Sequence, residues 1–172
     1  MTLLAVTVLG HDQPGIVART TQLLAAAGAN LEDSTMTILR GHFAMVLVAR
    51  VPGDAEATED ALAPLTEDGS LVVSVRQLPE EPTAGPLGPS YLLAVHGADR
   101  PGIVSAVTGV VAAVGGNITD LSTRLREDLY VLLAEVDLPP GTDVAEVSRE
   151  LAEVAARLGV DVSLRPVDTD VL

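Results

Sequence analysis

The chain has 172 residues, 48% of them hydrophobic and 20% charged, with a mean hydropathy of +0.38, a composition that supports a buried core and excludes a disordered tail. Its 10 basic residues, all arginine, stand against 24 acidic ones for a formal net charge of -14, and its only aromatics are Phe43, Tyr91 and Tyr130, so direct nucleic-acid binding is not expected. Lacking Cys and Lys, it can form no disulfide, thiolate metal site, thiol nucleophile, P-loop lysine or Schiff base, and no apolar stretch reaches the roughly 18 residues of a membrane helix.

The N-terminal MTLLAVTVLGHD has neither the basic flank nor the small-residue cleavage site of a signal peptide, which with the lack of cysteine predicts a cytoplasmic protein. Residues 3–9 form an apolar run ending at a glycine, as a buried strand would. Positions 16, 17, 20, 23, 24 and 27 then trace one helical face, with Pro14 suited to the first helical turn and Gly28 to the C-terminal stop. Leu31 to Leu39 and His42 to Val51 read as strands joined by a turn at Arg40-Gly41. A weak helix over Ala57 to Leu65, interrupted by Pro64, leads to a strand over Leu71 to Leu78. Pro79 to Pro89 holds four prolines and two glycines and predicts a short, stiff connector.

After the connector the chain repeats itself. Val8 to Asp33 aligns without a gap to Val95 to Asp120 at a constant offset of 87 residues, with 13 of 26 pairs identical. The second copy predicts a helix on positions 103, 104, 107, 110, 111 and 114, with Pro101 and Gly115 at its ends, and strands over Ile118 to Arg126 and Leu129 to Leu138. A clearer second helix on Val144, Val147, Leu151, Val154 and Leu158 precedes a strand over Val160 to Val167. The order βαββαβ, twice, predicts an α+β chain of two ferredoxin-like modules, each an antiparallel sheet with its helices on one face. The expected boundaries are 1–79 and 90–172, joined by 80–89.

Each copy carries Gly-x-Asp-x-Pro-Gly-Ile-Val where a strand gives way to a helix, then Gly-x-Asn-x-x-Asp at the next strand. Free N–H groups and the positive end of the helix dipole converge at such a turn and attract a carboxylate. Asp12 and Asp99 could accept from an ammonium, and Asn30 and Asn117 both donate and accept, the mixture a zwitterion needs. Structural readings stand beside these. The aspartates suit a helix N-terminus, the asparagines suit a turn, and Gly15 and Gly102 allow close backbone approach. His11, His42 and His96 have no metal-ligand spacing, and Arg100, where the first copy has Gln13, reads as a solvated charge or as the one cation beside the second loop. The acidic stretch Asp54 to Asp60 reads as a solvated helix face.

The segments GHDQPGIV…GANLED and GADRPGIV…GGNITD resemble the ACT domain, a βαββαβ module that commonly binds amino acids and regulates the protein carrying it. Similar tandem modules occur in proteins of the glycine cleavage system transcriptional repressor type, and similar loops in formyltetrahydrofolate deformylase and phosphoserine phosphatase. The resemblance implies a ligand between modules, held by Gly10, Asp12 and Asn30 in one copy and Gly97, Asp99 and Asn117 in the other. Some serine-binding members have His and Asn where Gly10 and Asp12 stand, so ligand identity does not carry over. With no nucleophile elbow, HExxH, P-loop or GxGxxG, the expectation is a non-catalytic regulator with no cofactor or metal. It would bind a small amino acid, act on a protein partner and self-associate as a homodimer through exposed sheet edges.

Overall fold

The computed structural model describes residues 1–79 and 88–167. The chain divides into two compact units, Met1–Pro82 and Thr83–Leu172. In the first, the elements run β1 (Thr2–His11), α1 (Ile16–Ala26), β2 (Asn30–Leu39), β3 (His42–Val51), α2 (Ala55–Leu62) and β4 (Leu71–Gln77), with a short 3-10 turn at Ala63–Leu65. In the second they run β5 (Ser90–Ala98), α3 (Ile103–Ala113), β6 (Asn117–Arg126), β7 (Leu129–Asp137), α4 (Val144–Leu158) and β8 (Val160–Pro166). Each unit is a four-stranded antiparallel sheet, ordered β2-β3-β1-β4 and β6-β7-β5-β8. This is the expected ferredoxin-like pattern. Of the expected connector, 80–87 lie outside the described residues, as do 168–172 of the second module.

The first strand is buried on one face only. Leu4, Val6 and Val8 are fully buried, while the intervening Thr7 and Leu9 are exposed, because the face away from the helices is open. In α1 the buried stripe is Ile16, Thr20 and Leu24, at steps of four. Val17 and Val104 are 41% and 37% exposed, so identity between the copies at that position reflects no core contact. The matching stripe of α3 is Ile103, Val107, Val110 and Val111.

Helix starts and stops depart from expectation in informative ways. Pro14 and Pro101 precede the helices, which open at Ile16 and Ile103 behind Gly15 and Gly102, both left-handed with φ of 92° and 90°. Each helix ends in a Schellman turn: the Gly28 N–H donates to Ala25 and the Ala29 N–H to Leu24, as Gly115 and Gly116 do to Ala112 and Val111. Gly28 and Gly115 supply the positive φ, 75° and 72°, that this turn requires. Pro64 ends α2 early and turns the chain through 3-10 geometry. Asp54 caps α2, accepting from the Ala57 N–H at 2.9 Å, and Asp143 caps α4, accepting from the N–H groups of Ala145 and Glu146.

Candidate functional site

The loop after β1 is tied down by its neighbours. The Asp12 N–H donates to the Gly41 carbonyl at 2.9 Å, and His11 Nδ1 lies 3.0 Å from the same oxygen, so the β2–β3 turn holds the loop in place. Gly10 has a packing reason: a Cβ there would stand 2.1 Å from the Ser70 carbonyl oxygen at the start of β4. Gly97 is the counterpart, with Val160 of β8 at 2.9 Å from such a Cβ. The glycine half of the repeated signature therefore serves strand packing. Asp12 and Asp99 remain exposed beside it.

The two loops differ in what surrounds them. In the first module Gln13 Nε2 donates to Ser70 Oγ at 2.8 Å, and a recess of about 220 Å3 lies between that loop, Arg19 and Asp68. In the second, a shallow recess of about 280 Å3 is lined by Asp99, Arg100, Ser105 and Tyr130 among others, and the Arg100 side chain reaches Gly159 at the end of α4. His11 and His42 have ring centroids 6.1 Å apart, and no group of three or more His, Asp or Glu able to hold a metal occurs among the described residues.

Asn30 and Asn117 do not join these loops within a module. Asn30 pairs with Arg50 and Arg50 with Leu3, at the start of β1, whereas Gly10 and Asp12 stand at its other end. Eight residue steps separate Leu3 from His11, about 26 Å at ~3.3 Å per residue. The second module repeats this: Asn117 pairs with Asp137, opposite Ser90 at the start of β5. A helix packed back over the sheet does bring the chain round, but it delivers the asparagine to the far end. Within one module, a single small ligand cannot touch both groups.

The Asn-x-x-Asp spacing has a physical cause. Both β2 and β6 carry a bulge just after the asparagine, between Leu31 and Asp33 and between Ile118 and Asp120. The extra residue lets Asn30 pair with Arg50 and Asp33 with Val48, two positions on, so residues three apart share one sheet face. The residue at the first bulge, Glu32, accepts from Arg50 Nε at 2.6 Å. At the place of Arg50 the second module has Asp137, 5% exposed, whose Oδ1 accepts from the Ser90 hydroxyl at 2.6 Å. Sequence reading passed over this exchange of charge beside the asparagines, although the 87-residue offset aligns Arg50 with Asp137.

Comparison with known proteins decides the family. The ACT domain model matches residues 2–74 and again 90–165. The chain belongs to the ACT domain family. It is a tandem ACT protein, 24% identical to the glycine cleavage system transcriptional repressor of Escherichia coli over 96% of this chain and 90% of that one. The crystal structure of an unknown protein from Galdieria sulphuraria has the same architecture, with a TM-score of 0.82, 32% identity and coverage of 97% and 99%. A phosphoserine phosphatase of Mycobacterium tuberculosis is 27% identical over 92% of this chain but only 39% of its own length. No helix among the described residues is long and apolar enough to cross a membrane.

Proposed function

We propose that this chain is a non-catalytic regulator whose two ACT modules, 1–79 and 90–172 joined by 80–89, bind a small amino acid or a related metabolite between modules. The ligand would take its ammonium to Asp12 or Asp99, beside Gly10 or Gly97, and its polar remainder to Asn30 or Asn117 of a facing module. The observation that carries this reading is the retention, in both ACT copies, of an exposed Asp at one end of the sheet and an exposed Asn at the other. Both asparagines stand exposed at the start of their strands, where their side chains are accessible to a ligand. Full-length similarity to a glycine cleavage regulator supports a role near glycine, serine or one-carbon metabolism, exerted through a protein partner. We place the modules in a homodimer, with the facing module supplied by the same chain or its copy.

Ligand that joins two modules stabilises the assembled form by its differential affinity. A thermal-shift panel of the common amino acids tests this. Selective stabilisation, worth about 2.7 kcal/mol at 100 times the dissociation constant, is the expected result, weakened by Asn30→Ala or Asn117→Ala. Silence across the panel would favour a purely structural module, a reading supported by the packing reasons found for Gly10, Gly97, Gly28 and Gly115.

A further inference from the structure

A second polar constellation lies inside the first module, on the β4 side of the loop and apart from either asparagine. Its recess, of about 220 Å3, has Leu65 and Leu71 in its floor, 2% and 5% exposed. Over that floor stand Gln13, Arg19, Asp68 and Ser70. Ser70 receives the Gln13 amide at 2.8 Å and gives its hydroxyl and backbone N–H to Asp68 Oδ1, at 2.6 and 2.9 Å. The Ser70 hydroxyl, then its N–H, hold the Asp68 carboxyl below its ordinary pKa, and the Arg19 charge adds to them. Arg19 itself is anchored by donating Nη2 to the Pro64 carbonyl.

Arg19 and Asp68 feel each other's charge, yet they form no ion pair among the described residues, where one would need N···O within 4.0 Å. Asp68 Oδ2 and the Nε and Nη1 of Arg19 take part in no hydrogen bond among those residues either. Two opposite charges, each fixed by the protein and each with unused hydrogen-bonding capacity, face one recess without closing on each other. A molecule with both charges and little bulk satisfies both at once.

We infer that this recess binds a small zwitterion, an α-amino acid with a short side chain, its ammonium on Asp68 and its carboxylate on Arg19. The site belongs to the first module alone: the counterpart of Arg19 is Ala106, and α4 passes through Gly159 directly into β8, without the loop that carries Asp68. The inference rests on the reading of the chain as amino-acid-responsive but uses no residue of the inter-module site.

Calorimetry on the full chain tests it, with glycine and L-alanine as probes and acetate and methylamine as half-ligands. Asp68→Asn and Arg19→Gln should each weaken binding tenfold or more, as expected when a hydrogen bond to a charged group is lost. The Asn30→Ala, Asn117→Ala double variant should keep this class of site, and neither half-ligand should bind comparably. Thermal melting establishes that each variant is folded, and Arg19→Lys, which keeps the charge, should recover part of the affinity. Unchanged binding in both charge variants would overturn the inference, as would silence from both probes or binding of acetate as tight as that of glycine. Loss of all binding in the double variant alone would reject this recess and leave the inter-module site; loss in Asp68→Asn alone would do the reverse.

Discussion

Thr20 is fully buried in α1, and its hydroxyl has no hydrogen-bond partner among the described residues, where the second module has Val107. An unpaired buried hydroxyl costs about 1–3 kcal/mol, and valine has nearly the same shape. Thr20→Val should therefore raise stability by about 1 kcal/mol, read as a higher urea midpoint at unchanged slope; a loss of stability would reveal a partner for the hydroxyl. Asp68 offers a pH-dependent counterpart. Its folded pKa lies below the ordinary 3.8 because of the Ser70 hydrogen bonds, so its stabilisation is complete above that value and vanishes as pH falls through the folded one. Asp68→Asn should thus be less stable than the wild type at neutral pH, with the difference closing below pH 3.8. A difference that stays constant in urea titrations across that range would contradict the assignment.

At the scale of elements, the apolar spacing of α4 made that helix legible, and its Asp143 cap and Gly159 stop, φ 68°, bear this out. Asp143→Ala removes the acceptor for two N–H groups and should cost about 1 kcal/mol by chemical denaturation. A negligible effect would mean that water replaces the cap. Other features were hidden for definite reasons. Pro14 suits a first helical turn by its fixed φ, yet the helix opens only at Ile16, because Gly15 takes a left-handed φ of 92° between them. Val17 looks like core by composition, but a step of one residue on a helix is about 100° of rotation, enough to leave the buried stripe of Ile16 and Thr20. The bulges after Asn30 and Asn117 left no trace in hydrophobic pattern, since β2 is largely exposed on both faces. The candidate site was legible as residue types, the exposed Asp and Asn, while their placement at opposite ends of a sheet depends on strand register, which no local spacing records.

Across the whole molecule, the 87-residue repeat made the tandem architecture readable before any coordinate, because two copies report the same pattern independently. The repeat also sharpens its exceptions. Arg50 against Asp137, Arg19 against Ala106, Gln13 against Arg100 and Arg40 against Glu127 are among the positions at which otherwise matching modules present different charge. The separation of about 26 Å along β1 keeps the loop and the asparagine of one module from meeting on a single small ligand. The central claim is most directly tested by titrating glycine and L-serine into the full chain and into its Asn30→Ala and Asn117→Ala variants by calorimetry. Saturable binding to the wild type, weakened tenfold or more in at least one variant with unliganded stability unchanged, is the result expected. Equal binding in all three proteins, or none in any, would contradict a ligand held between the modules by these asparagines.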